Sequence, residues 1–382
     1  MPKEIYDIAI IGAGAAGLQL ALALGTDRFF ADKKILLLEK DEKNQNDRTW
    51  SFWEKGNGQW DELISKKWQS GLFYSETGKK KLNLLPYQYK SLKAIDFYTF
   101  AKERLTKQTN IHWITEEVKA VTDGDPMQIT GDQKKHSAKL VFDSRVPVEF
   151  FEKKDKYTRV LQHFKGWVIR TNEDRFEEEH FTMMDYRLRW KGASSFMYIL
   201  PFNKKEAMVE FTFFSPDLVS DEDYESFLRK YIKEYLSIDE FEIAEIEKGI
   251  IPMSDFPFKK YSNKNHIRIG TAGGWVKPST GYSFKNCERN VKKIIKNLKD
   301  NRPINQGIFK PRFELYDAIF LNVLFRYNYD GHKLFETMYF KNDIQTILSF
   351  LDETTNFWQE LKIMWGFQKW RFTRSFFQVF FR

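Results

Sequence analysis

"IYDIAIIGAGAAGLQLALALG", residues 5–25, decides the fold. An apolar run over 5–11 leads directly into GxGxxG at Gly12, Gly14 and Gly17, and helix-forming composition continues to Gly25. In this pattern the first glycine permits a tight turn, the second lets a pyrophosphate approach the backbone, and the third lets helix and strand pack closely. "KKILLLEK" (33–40) supplies a second apolar strand, which makes a βαβ unit with a right-handed crossover. Glu39 ends that strand, placed to accept hydrogen bonds from adenosine ribose hydroxyls. Flavin and nicotinamide dinucleotides share this fingerprint, so both stay open at this point.

The bulk numbers describe a soluble chain with an unusual appetite for apolar surface. Its 382 residues suffice for one elaborated domain or two interleaved ones. Aromatic residues make up 17% beside 30% charged residues, which predicts a broad apolar pocket as well as a core. The lone cysteine, Cys287, excludes an internal disulfide, and a structural zinc site is not expected. The start "MPKEIYDIAIIGAGAAG" lacks the features of a signal peptide and reads as mature cytoplasmic sequence. No run reaches the roughly 18 apolar residues of a spanning helix, so membrane contact would be peripheral. A formal charge of +8 suits an anionic membrane surface or a nucleic acid, and no nucleic-acid-binding motif accompanies it.

After the βαβ unit the pattern changes. Four strands are expected between 167 and 214, "WVIRT", "FTMMDYRL", "FMYILPF" and "AMVEFTFF", with "NKKE" (203–206) turning between the last two. These predict an antiparallel sheet. "DEDYESFLRKYIKEYL" (221–236) reads as an amphipathic helix. Residues 266–298 then return to strand, Gly-rich loop and helix. The last eighty or so residues read as helical, aromatic and basic. The second Gly-rich element, "GTAGGWVKPSTGYSF" (270–284), stands where flavoproteins of the glutathione-reductase type bring a later segment back to the cofactor.

Together with Glu39, "DRTWSFW" (47–53), "MMDYR" (183–187), "MVEFT" (208–212) and "PSTGYSF" (278–284) make the chain resemble the lycopene cyclases, specifically the bacterial lycopene β-cyclase branch. The resemblance covers residues 5 to about 290. It implies an α/β fold: a Rossmann-type FAD-binding domain of the glutathione-reductase kind, an inserted antiparallel-sheet substrate domain and a helical C-terminal region. The implied FAD-binding domain takes 1–50, 93–150 and 248–300, the substrate domain 51–92 and 151–247, and the C-terminal region 301–382. It implies conversion of lycopene through γ-carotene to β-carotene, non-redox overall yet requiring reduced FAD, with NAD(P)H as electron donor. Lycopene and related linear carotenoids are the implied partners, at the cytoplasmic side of the inner membrane. Cofactor contacts are expected at Gly12, Gly14, Gly17, Glu39, Arg48, Gly273, Gly274, Thr280, Gly281 and Tyr282. Tyr282 has a packing role as its alternative. Glu210 matches the first acid of the family's Glu-Glu-Thr or Glu-Asp-Thr motif and Thr212 its threonine, while Phe211 replaces the second acid. Asp185 matches the Asp of the family's Met-Asp motif.

The residues carry a chemical argument beside the resemblance. A carboxylate in an apolar strand has its pKa raised by desolvation, which keeps Glu210 protonated and suits it to donate a proton to an alkene. Strand alternation puts Met208, Glu210, Thr212 and Phe214 on one face and Ala207, Val209, Phe211 and Phe213 on the other. Asp185 is expected to take the final proton or orient Glu210, or else to play a structural role, paired with Arg187 or a backbone amide. Aromatic faces would attract the intermediate cation. His163, His180 and His266 show no metal-ligand spacing. "EEEH" (177–180) reads as a solvated turn. The tail "GFQKWRFTRSFFQVFFR" interleaves Lys369, Arg371, Arg374 and Arg382 with rings, as a segment on an anionic bilayer would, or as a helix packed on the body. The competing functions are an FAD-dependent monooxygenase, a prenyl or carotenoid reductase, and a non-catalytic carotenoid or flavin carrier.

Overall fold

The computed structural model describes residues 4–153 and 156–381, so Arg382 lies outside the described residues. The chain divides into two compact units, one of Met1–Asn46, Ala94–Tyr157 and Asp255–Glu314, the other of Asp47–Lys93, Thr158–Ser254 and Leu315–Arg382.

The first unit is the dinucleotide fold read from residues 5–25. Strand Ile5–Ile11 pairs in parallel with Ile35–Glu39 on one side and Lys135–Asp143 on the other. Ile111–Thr115 continues the parallel order beyond Ile35–Glu39, and the short strand His266–Arg268 joins Lys135–Asp143. Every residue of Ile35–Glu39 is buried, as a parallel strand covered on both faces requires. Helix Ala15–Thr26 follows the first strand and packs against the late helix Phe284–Lys299. The two segments are far apart in sequence, and their contact closes the fold on itself.

The second unit is built on a seven-stranded sheet in the order Glu242–Ser254, Arg159–Arg170, Glu206–Ser215, Ser194–Asn203, His180–Asp185, Ser70–Tyr74, Lys79–Asn83. Neighbours are antiparallel except His180–Asp185 with Ser70–Tyr74. All four expected strands are present. The edge strand Glu242–Ser254 was not foreseen, because glycine and proline interrupt its alternation. Both residues fit an edge: Pro252 needs no donor to a further neighbour, and Gly249 lies beneath the Phe164 ring, which a Cβ would meet at 2.6 Å.

Helix Asp221–Glu234 covers one face of this sheet, started by a capping box between Ser220 and Asp223. Tyr224, Leu228, Tyr231 and Ile232 from the helix pack on Ala207, Val209, Phe211 and Phe213. The alternation expected for 207–214 is therefore observed. A three-stranded sheet, Thr49–Lys55, Tyr87–Lys93 and Lys66–Trp68, also belongs to this unit. Most of helix Pro311–Arg326 and helices Gly331–Lys341, Ile344–Leu351, Phe357–Trp365 and Lys369–Phe380 complete it.

Candidate active site

In the first unit, the glycines at the end of the first strand are fixed by contacts as well as by conformation. Gly12 has φ +96°, and a Cβ there would meet the Ser144 hydroxyl at 2.0 Å. At Gly17 a Cβ would stand 1.8 Å from the Gly12 carbonyl oxygen. Gly14 differs, since nothing lies within 4 Å of the position its Cβ would take. It is also the N-cap of helix Ala15–Thr26 and offers no capping side chain, so the helix end presents bare N–H groups to that open space. The Glu39 carboxylate accepts the Ala13 N–H at 2.5 Å and the Asp41 N–H at 3.1 Å, which ties it to the glycine turn.

The late Gly-rich segment reaches the same place. A Cβ on Gly270 would lie 3.2 Å from Ala16 Cβ, in the first turn of that helix. Gly274 and Gly281 take left-handed φ values of +71° and +76°, and a Cβ at Gly273 would meet the Arg268 carbonyl at 2.5 Å. The turn is held by Thr280 and Gly281 N–H groups on the Lys277 carbonyl and by Lys277 N–H on the Tyr282 carbonyl. Thr280 Oγ1 is buried and has no hydrogen-bond partner among the described residues. A glycine cradle open at Gly14, an acid at the end of the second strand and a buried hydroxyl awaiting a partner fit an adenine dinucleotide. Arg48 falls in the second unit, where Nη2 is 3.0 Å from Asp47.

In the second unit, Glu210 is 7% exposed in the middle of strand Glu206–Ser215. Thr212 Oγ1 donates to Oε1 at 2.5 Å, as expected of residues sharing a face. Across the sheet Glu210 is paired with Tyr198 and Gly166. Phe164 and Phe196 both pair with Thr212, and Phe196 packs on Phe214 at 5.3 Å between ring centroids. The acid therefore stands in an aromatic surface, on the face turned away from helix Asp221–Glu234. Burial pushes its pKa up to about 8; Thr212 opposes that shift, and the carboxylate of Glu247 adds to it. At neutral pH Glu210 holds its proton.

Asp185 goes elsewhere. It is fully buried, paired across with Met197, on the face covered by helix Asp221–Glu234. There it accepts Tyr231 Oη at 2.6 Å, the Arg187 backbone N–H at 2.9 Å and Arg187 Nε at 3.0 Å. By capturing the Arg187 N–H it also ends the strand that the sequence extended to Leu188. The structure separates Asp185 from Glu210 and matches the structural pairing with Arg187. Of the three histidines, His163 contacts Tyr224 and His266 lies 2.9 Å from Asp143. Glu247 was missed altogether: it faces Glu210's side of the sheet from the unforeseen edge strand.

The family described as lycopene cyclase protein matches residues 7–379. Among curated relatives, chloroplastic neoxanthin synthase of Solanum lycopersicum is 25% identical over 298 residues, 72% of this chain and 57% of that protein. The Solanum tuberosum enzyme of the same name matches equally. The chain thus spans a little over half the length of these relatives. In fold it is similar to a flavoprotein/dehydrogenase from Cytophaga hutchinsonii (TM-score 0.63, 14% identity, 91% of this chain and 92% of that one). A geranylgeranyl bacteriochlorophyll reductase-like protein from Thermoplasma acidophilum gives a TM-score of 0.59 at 12% identity, covering 95% and 96%.

Proposed function

The chain belongs to the lycopene cyclase protein family, and we propose that it is a lycopene β-cyclase, converting linear lycopene through γ-carotene to β-carotene. The observation that carries this reading is Glu210, a carboxylic acid kept protonated by burial in an aromatic surface. Ring closure of a polyene needs a proton on its terminal alkene, then attack by the neighbouring double bond, then loss of a proton from the resulting carbocation. Glu210 is the proton donor, and Thr212 fixes the orientation of its carboxyl group. Tyr198 and Phe164, paired with Glu210 and Thr212, supply rings that would bind an apolar chain and attract the cation, by about 2 kcal/mol when desolvated, while Phe196 and Phe214 pack behind them on Tyr186 and Phe335.

FAD is the proposed cofactor, held by Gly12, Gly14, Gly17 and Glu39 with Gly273, Gly274, Thr280, Gly281 and Tyr282 on the late segment. Reduced, as NAD(P)H would keep it, FAD would supply negative charge without net redox change.

Lycopene dissolves in membranes, so the enzyme must work at a bilayer. Among the described residues no helix is long and apolar enough to cross one. Helices Phe357–Trp365 and Lys369–Phe380 do expose Trp358 (76%), Trp365 (75%) and Phe380 (64%) beside Lys362, Lys369 and Arg374. We assign them to the cytoplasmic surface of the inner membrane, rings in the interface and cations at the headgroups.

Expression in a lycopene-accumulating bacterial host tests the reading. It predicts pigments isomeric with lycopene and carrying β rings. Products changed in mass would instead indicate a monooxygenase or reductase.

A further inference from the structure

The sheet that carries Glu210 holds a second carboxylate in the same row. Glu210 on strand Glu206–Ser215 and Glu247 on strand Glu242–Ser254 both pair with Gly166, which lies between them on Arg159–Arg170. Residues paired across antiparallel strands project to the same face. Two strand spacings put the two Cα atoms about 10 Å apart. The residue between them has no side chain, and a Cβ added there would stand 3.2 Å from Glu210 Cβ. Nothing on the middle strand therefore separates the two acids.

Their surroundings differ in the way that separates an acid from a base. Glu210 receives one hydroxyl donor in a buried apolar setting. Glu247 is partly exposed and is gripped by Thr49, whose backbone N–H donates to Oε1 at 3.0 Å and whose side chain also hydrogen-bonds it. Burial raises the pKa of Glu247 on balance; the hydrogen bonds from Thr49 and the charge of Arg48 oppose that rise without cancelling it, and Glu245 adds to it. The other titratable neighbours are Glu245, which pairs with Lys93 at 2.7 Å, Tyr198 across from Glu210, and Tyr224 on the helix-covered face.

We propose that Glu247 is the catalytic base that completes ring closure, taking from the carbocation the proton whose loss creates the ring double bond. The proposal rests on the cyclase reading. The cycle balances within the pair. The O–H bond of Glu210 breaks as its proton forms a C–H bond at the terminal alkene. The adjacent double bond closes the ring and leaves a carbocation. A C–H bond beside the cationic carbon then breaks, its electron pair becomes the new C=C bond, and the proton passes to Glu247. Return of that proton over Gly166 restores the starting state, and the hydrocarbon keeps its composition. Phe211, where the family motif has its second acid, faces the core under helix Asp221–Glu234, so a carboxylate there would not share Glu210's face.

The test measures initial cyclisation rate against pH for wild type, Glu247→Gln and Glu247→Asp. Each protein carries reduced FAD, the substrate is lycopene in liposomes, and flavin content and melting temperature are recorded. Wild type should give a bell. Glu247→Gln should be at least about 50-fold slower, lose the acid-side rise, and show its alkaline fall at lower pH because no negative neighbour raises Glu210. Glu247→Asp should recover part of the rate and the bell. A Glu247→Gln enzyme within threefold of wild type, with the same profile, would overturn the proposal. If Glu247→Gln fails to fold, Glu247→Asp decides: a bell with displaced limbs supports the base, and a profile superimposable on wild type refutes it. A wild type that leaves lycopene unchanged, or changes its mass, refutes the cyclase reading itself and is distinguishable from both.

Discussion

Asp185 and Glu210 lie on opposite faces of one sheet. Glu210 is paired with Tyr198, whereas Asp185 is paired with Met197, which belongs to the core under helix Asp221–Glu234. Between them is the sheet itself, so Asp185 neither touches nor orients the acid. Its two partners, Arg187 and Tyr231, make it a clamp between strand end and helix.

Asp185→Asn should therefore act on stability. Removing one charge of a buried, hydrogen-bonded pair costs about 3 kcal/mol, read as a lowered melting temperature or denaturant midpoint. Activity per folded molecule should stay within a few-fold of wild type, with an unchanged pH profile. A displaced profile would return Asp185 to the chemistry.

The glycine cradle separates folding from binding. Gly17→Ala forces a methyl against the Gly12 carbonyl and should lower both stability and flavin content. At Gly14 the backbone has φ −82° and the Cβ direction is open, so Gly14→Ala should fold with an unchanged melting temperature in the flavin-free form. Its flavin affinity should nevertheless fall at least about tenfold, since the second glycine is where the pyrophosphate approaches. Equal flavin titrations for wild type and Gly14→Ala would contradict that assignment.

Much of this was legible because it is local. Residues 5–39 hold the whole βαβ pattern, and strand alternation in "AMVEFTFF" correctly put Glu210 and Thr212 on one face. What sequence could not give was register. Asp185 and Glu210 both read as acids on strands of one sheet, and only the pairing partners reveal that they face opposite ways. Glu247 escaped for another reason: its strand carries Gly249 and Pro252 and alternates charged with apolar residues at an edge, which resembles a loop until Phe164 is seen lying over Gly249. An acid two residues from a glycine, in a segment that also holds a proline, is a signal only once the partner strand is known.

Glu210 should make the protein less stable as pH rises. Its folded pKa, about 8, lies above the unfolded value of 4.5, so the native state binds more protons between these limits and stability declines across that window. Glu210→Gln removes the penalty. Its melting temperature should match wild type near pH 5 and exceed it at pH 8, by a few degrees. A variant less stable than wild type at pH 8 would mean that the carboxylate is well solvated or paired.

The exposed rings of the last two helices should bind bilayers. Truncation after residue 365 should weaken binding to anionic liposomes at least about tenfold, and raised salt should weaken the wild type, because Lys369 and Arg374 contribute through charge. Unchanged sedimentation with liposomes would remove helix Lys369–Phe380 from the membrane surface.

The most direct measurement compares wild type with Glu210→Gln, both purified and loaded with reduced FAD, in initial rate of lycopene cyclisation across pH 6 to 9, a range set on the order of one to two units either side of neutrality. The wild-type rate should fall as pH rises through about 8, and Glu210→Gln should lose at least about 100-fold with flavin content unchanged. A Glu210→Gln enzyme that keeps a substantial fraction of wild-type activity, or a wild-type rate that is flat through about pH 8, would contradict the assignment of Glu210 as proton donor.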